Sequence, residues 1–273
     1  DYATIRNLED GWRSYGAPSL ATFSLSGDQL VRATARPKAQ EKVALLGPLP
    51  SGLTENVRAH WLRAQAGDAE ALNVIGRYYS RGEWGLSQND AEAVRLFKLA
   101  VDRGHARALY NLGVMYFKGR GGLSKDEREA VRLYEIAAQR DDVPALCQLA
   151  VCYQGGFGGL AKDFAKAARL YKLAADQGDA QAQNNLGAFY DQGLGGLPKD
   201  PQQAVRLYRL AADQGDAMAQ SNLGSMYEKG LGGLAKNLAE AVRLYRLSAD
   251  QGRASGQFNL ALMYETGLGV AQD

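Results

Sequence analysis

From residue 67 onward this chain repeats itself every 37 residues without an insertion, and that periodicity limits its fold more than any other feature. The unit that starts at Gly178, GDAQAQNNLGAFYDQGLGGLPKDPQQAVRLYRLAADQ, is followed at Gly215 by GDAMAQSNLGSMYEKGLGGLAKNLAEAVRLYRLSADQ. Earlier units start at Gly67, Gly104 and Asp141, and a partial unit starts at Gly252. The repeat therefore divides into a half unit at 55–66, five full units at 67–251 and a partial unit at 252–273. A unit this short cannot bury its own apolar face, so neighbours must stack on one another. The expected fold is an all-α solenoid of antiparallel helix pairs.

Each unit reads as two helices. The first carries apolar residues near i, i+3 and i+4 spacing, the mark of one buried helical face. Its Tyr recurs at Tyr79, Tyr116, Tyr153, Tyr190, Tyr227 and Tyr264. Three positions earlier stands a small residue: Gly76, Gly113, Ala150, Gly187, Gly224 or Ala261. A glycine inside a helix costs about 1 kcal/mol, so its recurrence marks a close approach of a neighbouring helix. The second helix begins after Asn89, Asp126, Asp163, Asp200 or Asn237, side chains that cap orphan amides. It ends at Gly104, Gly178, Gly215 or Gly252, which suit a left-handed stop, and Asp68, Asp179 and Asp216 then cap the next first helix. A Gly-rich loop, GLGGL in the later units, joins the pair. It lacks a preceding strand and a Gly-Lys-Ser/Thr ending, so it reads as a turn and not as a phosphate cradle.

These residues resemble the Sel-one-like repeat family, a relative of the tetratricopeptide repeats. The matching pattern is A-x-x-x-L-G-x-x-Y-x-x-G-x-G followed by A-V-R-L-Y-x-L-A-A, in phase over residues 55–273. The resemblance implies a right-handed superhelix with first helices on the concave side, and an adaptor role in assembling protein complexes. Cysteine-rich members of the family carry a disulfide in each unit, and this chain departs from them with only 2 cysteines.

Composition excludes several other classes. A formal charge of +2 is too small a bias to point to nucleic acid. No apolar run approaches the ~18 residues of a membrane-spanning helix. With 2 His and 2 Cys there is no material for a His-rich metal site or a disulfide scaffold, and no cofactor is implied. Cys147 and Cys152 share one helix, point to different sides and read as core residues. No nucleophile stands with a base, so no catalytic constellation emerges and the chain is not expected to be an enzyme.

The leading candidate site is a row of amides one position before the repeated Leu: Asn111, Gln148, Asn185, Asn222 and Asn259, with Val74 in the first unit. A carboxamide both donates and accepts hydrogen bonds, so a row of them can grip the backbone of an extended peptide. In the related tetratricopeptide repeats an Asn at the matching position binds peptide. The alternative is that these amides bond neighbouring helices or water. Variable positions one turn earlier (Arg107, Pro144, Gln181, Met218) would set partner choice. A second row is Arg58, Arg95, Arg132, Arg169, Arg206 and Arg243. It reads either as an anion-binding stripe or as a solvated face paired with Glu92, Glu129 and Glu240, and the solvated face is the simpler account.

Residues 1–54 stand outside the repeat and hold Pro18, Pro37, Pro48 and Pro50. Ile5, Leu8, Trp12 and Tyr15 have helical spacing, and the alternation over 20–35 suits a β-hairpin. At the other end Leu260, Met263 and Tyr264 would face a second helix, so the chain is expected to continue past Asp273 or to be covered by a partner. The reading of the whole is a scaffold that binds a protein or peptide on its concave face, with self-association through the solenoid ends as a further partner mode. The alternative is a regulatory or targeting module of a larger enzyme or signalling protein. The lack of a signal-peptide pattern and of a disulfide per repeat favours the cytoplasm over the envelope.

Overall fold

Side chains that answer orphan backbone amides fix where the helices of this chain begin. The computed structural model describes residues 46–269. They fall into two compact units, Asp1–Asp126 and Glu127–Asp273. The first carries α1 (Glu55–Gln65), α2 (Ala69–Arg81), α3 (Asp90–Asp102) and α4 (Ala106–Lys118). The second carries α5 (Glu127–Ala138), α6 (Val143–Gly155), α7 (Phe164–Asp176), α8 (Ala180–Gln192), α9 (Pro201–Asp213), α10 (Ala217–Lys229), α11 (Leu238–Asp250) and α12 (Ala254–Thr266). All twelve described elements are helices, so the chain is an all-α solenoid of repeated helix pairs.

The caps are those the repeat anticipates. Asp68, Asp179 and Asp216 accept hydrogen bonds of 2.7–2.8 Å from the Ala amide three residues on. Asn89, Asp163, Asp200 and Asn237 do the same for the second helices at 2.8–3.0 Å. Such a cap stabilises a helix by about 1 kcal/mol. The main-chain N–H of Asp200 also donates to the Tyr190 carbonyl at 2.8 Å, and that of Asn237 to the Tyr227 carbonyl at 2.9 Å. This bond returns the start of each second helix to the last turn of its first helix, so the pair runs antiparallel.

Two glycine registers hold the helices close. A Cβ on Gly187 would stand 2.8 Å from the Tyr208 ring, and one on Gly224 2.7 Å from the Tyr245 ring. The small residue therefore exists to seat an aromatic ring of the second helix. In the loops, Gly195 and Gly232 lie with positive φ against the previous repeat, where a Cβ would come within 2.4 Å of the Phe164 and Pro201 carbonyl oxygens. Consecutive helices pack throughout each unit, and α2 also approaches α4, as α10 approaches α12.

Two residues take left-handed backbone where other repeats have Gly. Asp141 sits at φ 60 and Trp84 at φ 59. The Trp84 ring rests 6.2 Å from that of Tyr78 while 57% exposed.

The ends differ. Leu46, Leu53, Val57 and Trp61 are buried with Leu72 and Ile75, and the Trp61 indole and Gln65 amide both donate to the Gly47 carbonyl. The outer residues of α1, Asn56, Arg58 and Arg63, are exposed and polar, as a solenoid cap requires. On α12, Met263 is buried against Ala241, Val242 and Tyr245, while Leu260 beside it is half-buried where Leu186 and Leu223 are buried. Phe258, Leu262 and Tyr264 are the exposed ones, Phe258 by 68%. The helix expected from Ile5 to Tyr15, the hairpin at 20–35 and Asp273 lie outside the described residues.

Candidate binding face on the first helices

Every member of the amide row lies on a first helix, half-buried: Asn111 on α4, Gln148 on α6, Asn185 on α8, Asn222 on α10 and Asn259 on α12. Arg107, Gln181 and Met218 stand four residues before Asn111, Asn185 and Asn222, so each pair shares a helix face. Gln181 is exposed, whereas Arg107 and Met218 are half-buried. The Met218 sulfur accepts a bond from the Arg253 guanidinium. Pro144 occupies the first turn of α6, where its missing N–H costs nothing.

Three of the five amides are bonded to the preceding repeat. In the first unit Asn111 Nδ2 donates to Asn73 Oδ1 at 2.7 Å. In the second, Asn222 Nδ2 donates to Asn184 Oδ1 at 2.8 Å, and Asn259 Nδ2 to Ser221 Oγ at 3.4 Å. The acceptors Asn73, Asn184 and Ser221 are buried. Asn184 Nδ2 passes a bond on to Asn185 Oδ1 at 3.4 Å. The Tyr171 hydroxyl donates to Gln154 Oε1 at 2.7 Å. Burial is the main force pushing the Tyr171 phenol up, so it stays protonated and donating. Polar bonds thus link α10 to α8, and α7 to α6. Gln148 makes no hydrogen bond among the described residues.

This arrangement leaves chemistry for a ligand. A carboxamide has two N–H donors and an acceptor oxygen. Asn111 and Asn222 each use one N–H on the first helix of the preceding repeat, which fixes the rotamer while the second N–H and the oxygen have no partner among the described residues. The residues that the sequence reasoning missed are the acceptors. They sit one position before the row, and their register holds Asn73, Tyr110, Cys147, Asn184, Ser221 and Phe258, which follows no visible rule. The only signal was a polar residue directly ahead of the row in three units.

The other candidates resolve simply. Arg95, Arg132 and Arg243 form hydrogen-bonded pairs with Glu92, Glu129 and Glu240. Cys147 and Cys152 are free and buried, and loss of hydration pushes both thiols up, Cys152 to about 12. Among the described residues no group of three His, Cys, Asp or Glu is placed to hold a metal ion, and no helix is long and apolar enough to cross a membrane.

Comparison with known proteins agrees with the repeat. The family described as Sel1 repeat matches residues 69–105, 106–142, 143–179, 180–216, 217–252 and 254–273. A Sel1 repeat protein of Oxalobacter formigenes is 31% identical, with a TM-score of 0.66 over 81% of this chain and 92% of that one. A protective antigen of uropathogenic Escherichia coli strains, displaying an SLR fold, is 34% identical with a TM-score of 0.62 over 81% of this chain. This chain spans 46% of that antigen, about half its length. No curated protein matches.

Proposed function

Proceeding from a chain that belongs to the Sel1 repeat family, whose solenoids generally mediate protein–protein interaction and are typically non-catalytic, we propose that this one is a non-catalytic adaptor gripping a protein segment along its first helices. The single observation that carries the reading is the half-used amide. Asn222 is held by Asn184 and keeps an N–H and an oxygen for a partner's backbone. Gln148 is unbonded in the same register, and exposed Gln181 stands beside Asn185 to choose the partner's side chains. In this reading residues 1–54 are a non-repeat segment ahead of the repeats, and Leu46 and Leu53 of it join the first core.

A second reading, self-association, is favoured by α12, where Phe258 and Leu262 lie open on one end of the second unit. Apolar surface of that kind gains about 25 cal/mol per Å² when covered. The alternative of a module serving a larger enzyme requires the same protein-binding face, so the same test addresses it.

The test is capture of partners on the full chain, repeated with Gln148→Ala/Gln181→Ala. Neither side chain holds the fold, so melting should not change while the captured partner is lost. A partner retained by the variant would refute the first-helix face.

A further inference from the structure

The second-helix face of the second unit breaks the chain's own charge pattern in two successive repeats. Where α5 and α11 carry Glu129 and Glu240 to answer Arg132 and Arg243, α7 and α9 carry Lys166 and Gln203. Arg169 and Arg206 are consequently exposed and make no ion pair or hydrogen bond among the described residues. Three residues after Arg206 and Arg243 stand two more cations, and these are held by neutral groups. Arg209 donates to the Tyr227 hydroxyl at 3.3 Å, and Arg246 to the Tyr264 hydroxyl at 2.7 Å. A hydroxyl acceptor orders a guanidinium without cancelling its charge. α9 and α11 are second helices of successive repeats, and both pack against α10.

Apolar groups lie among these cations. Leu210 is 44% exposed and Leu247 39%, each four residues after an arginine and so on the same helix face. At this register earlier in the unit Ile136 is buried and Leu173 half-buried. Exposure of the leucine thus begins beside the first ordered arginine. We propose that the face of α7, α9 and α11 docks an acidic amphipathic helix of a protein partner, whose carboxylates meet Arg169, Arg206, Arg209 and Arg246 and whose apolar stripe covers Leu210 and Leu247.

Charge and polarity choose this occupant over a nucleic acid. Asp176, Asp213 and Asp250 stand exposed one turn beyond the cations and confine a partner's carboxylates to the arginine turn. The leucines offer nothing to a phosphodiester, whereas a helix with Glu and Leu at i, i+4 spacing satisfies both kinds of group. The surface is separate from the amide row, so it stands or falls without that row.

The test is fluorescence anisotropy on the full chain. The probe is a labelled model helix bearing Glu and Leu on one face, compared with its Glu→Gln counterpart and with a single-stranded oligonucleotide. Saturable binding of the Glu helix should weaken about tenfold or more in Arg206→Glu/Arg209→Glu and on raising salt, since exposed pairs are screened. Arg58→Glu and Gln148→Ala/Gln181→Ala should bind as the parent does, and unchanged circular dichroism melts would show every variant folded. No binding of the Glu helix, equal binding of the Glu→Gln helix, an undiminished affinity in the reversed variant, or tighter binding of the oligonucleotide would each overturn the proposal.

Discussion

Asn222→Ala should cost far more stability than its half-buried position suggests. The side chain donates to Asn184 Oδ1 at 2.8 Å, and Asn184 is only 4% exposed. Truncation leaves that oxygen without its donor in a place where water does not reach it freely. An ordinary hydrogen bond contributes a net ~1 kcal/mol, but an orphaned buried acceptor carries its desolvation penalty of about 1–3 kcal/mol. For a domain of roughly 150–250 residues each 1 kcal/mol moves the midpoint by about 2–4 °C, so Asn222→Ala should melt about 2–12 °C lower. Removing both partners in Asn184→Ala/Asn222→Ala should recover part of the loss, because no polar atom is then stranded, and the double-mutant cycle should return a coupling of ~1 kcal/mol. Gln148→Ala is the control: the same register, an amide, and no hydrogen bond. Melting followed by far-UV circular dichroism, with urea titrations fitted to a nearest-neighbour repeat scheme, gives all four values. If Asn222→Ala melts no lower than Gln148→Ala, the amide row does not fasten the repeats and the argument from the buried acceptor fails.

Gly232→Ala should destabilise by about 2–5 kcal/mol, from left-handed strain of ~1–2 kcal/mol plus overpacking of ~1–3 kcal/mol against the Pro201 carbonyl and Val205. Gly196→Ala has the same sign of φ but open space around it, so it should cost only the strain; equal losses in urea titration would refute the contact. Asp141→Gly relieves a left-handed non-glycine residue and should raise stability by ~1 kcal/mol, with no gain meaning that its side-chain interactions outweigh the strain. Burial pushes the Glu135 carboxyl up, so the folded state holds its proton more tightly than the unfolded chain does. That contribution is fully favourable at pH below the ordinary carboxylate range and is lost as pH rises through the folded value. Glu135→Gln should therefore be the more stable protein at neutral pH, with the advantage shrinking on acidification; a pH-independent difference in melting would refute this.

The helix pairs were legible because each boundary is written in local chemistry. Asp179 precedes its first helix, Asp200 its second, and Gly178 and Gly215 stand at the turns between repeats, all recurring at one period. The reason for Gly187 was legible too, since only a close neighbour explains a recurrent helical glycine, and Tyr208 is that neighbour. The acceptors of the amide row were hidden because they depend on contact between residues one repeat plus one position apart, as in Asn184 and Asn222. Nothing local encodes that pairing. Met263 was hidden for a similar reason. Its apolar character shows that it is covered but not by which helix, and α11 covers it.

Near-identical repeats carry a hazard of their own, since any unit can stack on the wrong neighbour with little loss of apolar burial. The chain answers this by changing the chemistry of one interior register partway along. Leu72, Leu109 and Leu146 occupy it in the early repeats, and Gln183, Gln220 and Gln257 in the later ones. The buried Gln183 accepts from Gln214 Nε2 at 2.8 Å, and Gln220 from Gln251 Nε2 at 2.9 Å. In the early repeats the position of Gln214 is held by Arg103 and Arg140. A second helix lacking that glutamine, set over Gln183 or Gln220, would leave a buried amide oxygen without its donor, at about 1–3 kcal/mol for each mismatch. The matched pairs add little net stability over an apolar contact, but an arrangement displaced across that boundary loses one of them or both. The polar interior of the later repeats therefore selects the register that the apolar core alone would leave degenerate, and it does so on the same helices that present Asn185 and Asn222 to a partner.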